Sequence, residues 1–356
     1  MMEPIDSLGY QIFFDDELTA LYPFIQSGNY SKVLVLVDRN TAEYCLPIFQ
    51  KYLPALDDYD IIEIDPGEEN KNIDFCIGIW QMMIDFGADR KSLLINLGGG
   101  VVTDMGGFAA STFKRGFDFV HVPTTLLSQV DASVGGKTGI DMGDIKNIIG
   151  TFSQPKAVFI SSLFLDTLDQ RELTSGLAEM IKHGLIQDRE YYEQIKELDL
   201  SQISVDQIRR SVAMKNEVVL TDPHEEGIRK VLNFGHTIGH AVEGYSLTHS
   251  THPLLHGEAI AVGMICESYL SHRMNGLPES ELDDIVSTFR RLYPDYPLNT
   301  QQYDMLLDIM SNDKKNVQEK IGFSLLNQIG SATFGQYVTR EMIVESLDYY
   351  REVTKN

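Results

Sequence analysis

Ser92-Leu93-Leu94-Ile95-Asn96-Leu97 runs without a break into Gly98-Gly99-Gly100-Val101-Val102-Thr103-Asp104-Met105-Gly106-Gly107. The first six residues read as a short buried strand, and the glycines as a turn that opens a helix. Strand, glycine turn and helix form the repeating unit of a parallel sheet, because parallel strands need a long crossover. Four similar runs flank this one: Lys32 to Asp38, Ile61 to Ile64, Phe119 to Val122 and Ala157 to Ile160. Helix-length segments separate several of them, as between Ile73 and Phe86. From about Asp166 long amphipathic stretches take over: Leu173 to Ile186, Val205 to Leu220, Leu254 to Ser271, Leu282 to Tyr293 and Met342 to Tyr350. The expected fold is α/β. An N-terminal parallel-sheet nucleotide-binding domain (1–165) precedes a mostly helical metal- and substrate-binding domain (166–356), with the active site expected between them.

The 356 residues suit about two domains, and 43% hydrophobic with 23% charged residues is ordinary for a globular chain. A formal net charge of -23 lacks the basic footprint that nucleic acids and anionic membranes require. No apolar run approaches the roughly 20 residues that span a bilayer. Met1 to Asp16 has no basic n-region, so no secretory leader is expected. Three scattered cysteines, Cys45, Cys76 and Cys266, fit reduced buried thiols of a cytoplasmic protein.

Glycines between strand and helix let backbone N–H groups approach a diphosphate, whose charge the helix N-terminus favours. The pattern is not G-x-G-x-x-G, and no acid follows at the usual spacing. Asp38, at the end of an earlier strand, is a candidate to accept ribose hydroxyls, with a plain turn as the alternative. Thr124 and Thr125 are candidates for nucleotide contacts or for capping.

Arg229, Asn233, His236 and His240 are spaced by 4, 3 and 4 residues, so on one continuous helix they share a face. Glu179 and Lys182 are likewise three apart, among apolar neighbours; a surface ion pair is the bland alternative. Glu179 with His236 and His256 would be a His2Glu set of the catalytic-zinc type, while His236 with His240 is a second metal-binding option. Lys137 and the pair Lys146-Asn147 are expected in a glycine-rich loop. With Lys215, Arg229 and Lys314-Lys315 they are candidates to bind an anion.

The blocks Pro66 to Lys71, Gly98 to Gly116, Val122 to Leu127, Val130 to Gly139, Gly176 to His183, Arg229 to His240 and His256-Gly257-Glu258 together resemble the 3-dehydroquinate synthase family of the sugar phosphate cyclases. The resemblance covers nearly the whole chain. It implies a homodimeric enzyme that uses NAD and zinc, or cobalt, to turn 3-deoxy-D-arabino-heptulosonate 7-phosphate into 3-dehydroquinate and phosphate in the shikimate pathway. NAD is reduced and reoxidised within each turnover. The resemblance puts Asp38, Glu68, Lys71, Gly99, Gly100, Asp104, Thr124 and Thr125 at NAD, and Glu179, His236 and His256 at zinc. It puts Asp131, Lys137, Asn147, Lys182, Lys215, Arg229, Asn233 and His240 at the substrate. Arg115 matches an arginine that reaches the phosphate pocket of the other subunit, and Lys314, favoured over Lys315, a phosphate lysine. Thr103 stands where a glycine is usual, Phe113 where a tyrosine is common, and Asp141 to Ile145 replaces a stretch more often written with Asn and Pro. Three rivals are weighed: a glycerol-type polyol dehydrogenase, a sibling cyclase and a non-catalytic nucleotide-binding scaffold. The first would leave Lys137, Asn147 and Arg115 idle, and the last does not explain Glu179, His236 and His256 together.

Overall fold

The computed structural model describes residues 2–143, 145–311 and 321–355. They form two compact units, one of Met1–Leu173 with Ile203–Leu220, the other of Thr174–Gln202 with Thr221–Asn356.

The first unit is built on β1 (Ile5–Asp6), β2 (Gln11–Phe14), β3 (Val33–Asp38), β4 (Asp60–Ile64), β5 (Leu93–Gly98), β6 (Asp118–Pro123), β7 (Lys137–Met142), β8 (Ile145–Phe152) and β9 (Ala157–Ile160). Seven of them make one sheet, in the order β1-β2-β9-β6-β5-β3-β4. All its pairings are parallel except β1 with β2. The five expected strands are consecutive neighbours in it, β9-β6-β5-β3-β4, with β4 at the edge. β3 and β5 are apolar at nearly every position because both faces are covered. Val35, Val37, Leu93, Ile95 and Leu97 belong to one core, and Leu34, Leu36, Leu94, Val102 and Met105 to another. Helix Gly100–Thr112 lies close on the sheet, and a Cβ at Gly106 would overlap Asn96 Oδ1. The helix Val205–Thr221 belongs to this unit for most of its length, tied by Asn216 Nδ2 to Asp6 O at 2.8 Å and Arg209 Nε to Glu3 O at 3.2 Å.

The second unit is largely helical. Its principal helices are Gln170–Gln187 (from Thr174 onward), His236–His249, His256–Asn275, Glu279–Leu292 and Arg340–Val353. An antiparallel hairpin of β10 (Ile321–Gln328) and β11 (Ser331–Val338) joins them. All three cysteines are buried free thiols.

Among the buried polar residues of the sheet is His121, whose Nδ1 accepts a hydrogen bond from Asn96 Nδ2 at 3.2 Å. Burial pulls His121 down to about 3, so the ring is neutral when folded and charges only on unfolding. Its stabilising contribution is complete above about pH 6.5, the unfolded value, and is lost as pH falls from there toward 3. Urea titrations across that range should show stability declining with acid, and His121→Gln should remove about one proton from the slope. An unchanged slope would contradict the assignment.

Candidate active site

In the sheet, β3 has β4 on one side and β5 on the other, so the strand order reverses there. The carboxyl ends of strands at such a switch point are where open α/β sheets hold ligands. Asp38 ends β3, and Gly98 ends β5. Gly99 caps helix Gly100–Thr112 with φ -75°, so what its lack of a side chain supplies is space. A Cβ there would lie 3.0 Å from Thr125 Cγ2. The first-turn N–H groups of this helix are thus open to close approach. Thr103 folds its hydroxyl back onto the Gly99 and Gly100 carbonyls at 3.2 and 3.1 Å, so this departure is absorbed inside the helix.

The capping alternatives are partly realised. Asp38 Oδ1 accepts the Thr41 N–H at 2.8 Å, while Oδ2 has no hydrogen bond among the described residues. Thr125 Oγ1 accepts the Ser128 N–H at 3.1 Å. Thr124 Oγ1 is buried without a hydrogen-bond partner of normal geometry among the described residues. An unsatisfied buried hydroxyl costs about 1–3 kcal/mol, which a ligand at this spot would offset.

Lys71 is 3% exposed and is the centre of a charged cluster. Its Nζ donates to Asp104 Oδ2 at 2.7 Å and to Asn147 Oδ1 at 2.6 Å, with Glu68 Oε1 at 3.8 Å. Burial alone would lower its pKa, but Asp104, Glu68 and Asp141 outweigh it and hold the ammonium protonated. Glu68 also pairs with Lys146 at 3.0 Å. Lys137 and Asn147, expected in a loop, stand instead in the antiparallel hairpin β7–β8. Gly135 and Gly136, which suggested the loop, do have positive φ (102° and 69°), but they lead straight into the hairpin, where a Cβ at Gly139 would come 2.7 Å from Ile149 O across the ladder. Asn147 is nevertheless left-handed, with φ 52°, and its N–H is held by Asp141 Oδ1 at 2.6 Å.

Asp131 lies in a single π-helical turn, Ser128–Ala132. The buried Lys215 reaches its Oδ1 at 2.9 Å and its carbonyl at 2.6 Å. Arg115 is exposed on a turn where Lys114, Arg115 and Gly116 all have positive φ, at 48°, 71° and 103°. Two non-glycine residues in that region cost about 1–2 kcal/mol each. The turn is held by Arg90 Nε on Lys114 O at 2.9 Å and by Lys114 Nζ on Ala88 O at 2.5 Å.

In the second unit, the segment from Arg229 to His240 is not the single helix that the spacing suggested. A 3-10 turn, Ile228–Asn233, ends at Phe234, Gly235 follows with φ 81°, and a new α-helix starts at His236. Only His236 and His240 share an α-helical face, their ring centroids 5.1 Å apart. Arg229 is buried, with its N–H on Asp222 Oδ2 at 3.0 Å and Nη1 on Pro223 O at 2.6 Å. Asn233 Nδ2 donates to Glu225 Oε1 at 2.7 Å. Glu179 and Lys182 do pair, as in the bland alternative, but at 0% and 1% side-chain exposure they are no surface pair.

Three helices meet at Glu179. His236 and His256 are the first residues of their helices, and both point Nε2 at the same Glu179 Oε1, at 3.4 and 3.5 Å. Tetrahedral zinc with bonds of about 2.0–2.1 Å separates its ligand atoms by roughly 3.3 Å, close to both of these Nε2–Oε1 distances. His240 stands close by: ring nitrogens of His236, His240 and His256 come within 4.8 Å of one another. His236 Nδ1 donates to Phe234 O at 3.0 Å, which fixes the tautomer and leaves Nε2 with its lone pair. Burial and then Lys182 hold His236 well below the usual imidazole value, so the ring is neutral, as a ligand must be. Burial would lower His256 too, but Glu243 and Glu179 reverse this and hold it up to about 9. A cation would replace that proton.

Among the described residues the buried cations are Lys71, Lys182, Lys215 and Arg229, all within the expected site set. Lys314 and Lys315 lie outside the described residues. Sequence reading missed two acids. Glu243 accepts from His256 Nδ1 at 3.4 Å, and its spacing three residues after His240 was the available signal. Glu267, fully buried, was legible only as one of two acids, with Glu258, in a largely apolar helix.

Residues 61–175 match the family model for the 3-dehydroquinate synthase N-terminal part, and 176–316 the model for its C-terminal part. The chain belongs to the 3-dehydroquinate synthase family. A 3-dehydroquinate synthase of Parabacteroides distasonis is 45% identical over 341 residues, covering 95% of this chain and 96% of that one. One of a Sulfurovum species is 40% identical over 327 residues, covering 90% and 91%. Among solved structures, 2-epi-5-epi-valiolone synthase from Streptomyces hygroscopicus, with NAD+ and Zn2+ bound, superposes with TM-score 0.84 at 28% identity over 99% of both chains. The glycerol dehydrogenase of Schizosaccharomyces pombe shares the fold, with TM-score 0.66 at 14% identity over 98% and 91%.

Gly257 is a tight point of this arrangement, because a Cβ there would overlap Ser175 O on the Glu179 helix. Gly257→Ala should cost roughly 1–3 kcal/mol and weaken zinc binding, read by chemical denaturation and metal titration. Gly244→Ala, with nothing within 4 Å of the new methyl, is the control and should do neither.

Proposed function

We propose that this chain converts 3-deoxy-D-arabino-heptulosonate 7-phosphate into 3-dehydroquinate and phosphate, using NAD catalytically and a divalent metal, zinc or cobalt. The observation that carries the reading is the pair of imidazole Nε2 atoms aimed at one oxygen of buried Glu179, in a chain of this family. The solved valiolone synthase holds NAD+ and Zn2+, and a 2-deoxy-scyllo-inosose synthase holds NAD+, Co2+ and carbaglucose-6-phosphate.

Glu179, His236 and His256 are the proposed metal ligands; a metal there supplies a Lewis acid for a substrate hydroxyl. NAD supplies the hydride acceptor and donor. Asp38 Oδ2 suits the ribose hydroxyls. Gly99 and Gly100 expose N–H groups to the diphosphate, and Glu68, Lys71, Asp104, Thr124 and Thr125 complete the nucleotide set. Arg229 offers a planar fork to the substrate carboxylate, joined by Lys215. Lys137, Asn147, His240, Lys314 and the partner subunit's Arg115 are assigned to the phosphate. Asp131, Lys182 and Asn233 are assigned to the substrate hydroxyls. A charge-assisted grip of this kind suits a substrate with both a carboxylate and a phosphate.

The homodimer has two supports. Arg115 is held exposed on a strained turn, an expense a purely internal role would not require. Helix Ile73–Asp85, which packs on β7, exposes Ile73, Ile77 and Ile84, and the hairpin exposes Met142, Ile148 and Phe152. A second copy of the chain is the proposed cover for these side chains.

Phosphate release from the heptulosonate phosphate should require added NAD in nucleotide-stripped protein, stop on chelation and return with zinc or cobalt. Release with neither NAD nor metal would refute the reading, and NAD-linked glycerol oxidation without phosphate release would favour the dehydrogenase. In sedimentation the protein should run as a dimer. The pair Ile77→Asp with Phe152→Asp should yield monomers with much reduced turnover, whereas fully active monomers would exclude the shared site.

A further inference from the structure

Helix His236–His249 begins on a glycine, which has no side chain to cap it. The cap comes from another helix. Glu267, on His256–Asn275, is fully buried; its Oε2 accepts the Gly235 N–H at 2.7 Å and its Oε1 the Ile238 N–H at 3.1 Å. These are the N-cap and third helical positions, the two that a capping side chain normally serves. A buried carboxylate is costly unless satisfied, and here it also faces the positive end of the helix.

The Gly235 N–H belongs to the same rigid peptide plane as the Phe234 carbonyl. That carbonyl accepts His236 Nδ1–H at 3.0 Å. Holding the N–H therefore fixes the direction of the carbonyl, and accepting from the N–H polarises the C=O toward the imidazole. His256 has a direct carboxylate partner in Glu243, the usual outer-shell arrangement for a ligating histidine. We propose that Glu267 is the equivalent for His236, a positioning residue of the metal centre that acts through one peptide unit. It sets both the tautomer and the aim of Nε2, which is already directed at Glu179 Oε1. This inference rests on the proposed role of Glu179, His236 and His256 as metal ligands.

Glu267→Gln keeps the volume but puts an NH2 where one of the two backbone donors needs an acceptor. Cobalt titration of metal-free protein, followed by its visible absorption, should show affinity reduced 10- to 100-fold and an altered ligand-field spectrum. NAD binding, read by fluorescence, should be unchanged. Tyr350→Phe, which removes the acceptor for the Tyr296 N–H in the same unit, controls for general destabilisation and should leave both cobalt readouts as in the wild type. If the Gln variant does not fold, Glu267→Asp, charged but shorter, takes its place with the same expectation. Wild-type affinity and spectrum in the folded variant would overturn the proposal, as would an equal loss in Tyr350→Phe. Failure of the wild type itself to bind cobalt would instead overturn the metal-site reading beneath it.

Discussion

The close approach of three helices is the constraint on which the convergence of Glu179, His236 and His256 depends. Helices Gln170–Gln187, His236–His249 and His256–Asn275 come together at glycines: a Cβ at Gly257 would overlap Ser175 O, and one at Gly263 would overlap Gly235 O. Ordinary side chains keep helix axes about 8–10 Å apart. Glycine contacts allow nearer backbones, and so the short reach of a glutamate and two helix-initial histidines suffices to bring each imidazole Nε2 within 3.5 Å of Glu179 Oε1. The same closeness leaves a buried Glu179 that only a cation and its neighbours can satisfy, which links packing directly to chemistry.

Charge is distributed with the same economy. A chain with net charge -23 repels acidic substrates at long range, so positive potential must be concentrated locally. Lys71, Lys182, Lys215 and Arg229 are all buried, each against a carboxylate or a carbonyl. Burying a cation is unfavourable unless it is paired, and each of these groups has such a partner. Lys71 illustrates this, since three acids more than reverse its desolvation.

Much of this was legible beforehand. The five runs became adjacent strands: four are buried at nearly every position, whereas the edge strand β4 alternates, with Ile61 and Glu63 exposed and Ile62 and Ile64 buried. Asp38 and the Gly98 turn were recognisable as strand ends. The misreadings share one cause: local signals with two physical meanings. Gly135 and Gly136 suggested a loop around Lys137, yet their positive-φ turn leads straight into a hairpin whose strands approach closely at Gly139 and Gly150. Helical spacing from Arg229 to His240 suggested one face, yet Gly235 at φ 81° breaks the helix between Asn233 and His236.

The sequence by itself determined five strands of the main sheet, the largely helical character of the second half, the net negative charge and, through long ordered motifs, the family. These depend on local periodicity and residue identity, which a linear chain carries in full. Only the tertiary structure decided that Glu267 caps a helix 29 residues away, that Glu243 supports His256, and that Lys215 sits on Asp131. Such contacts form between segments whose separation along the chain says nothing of their distance in space, and packing alone sets that distance.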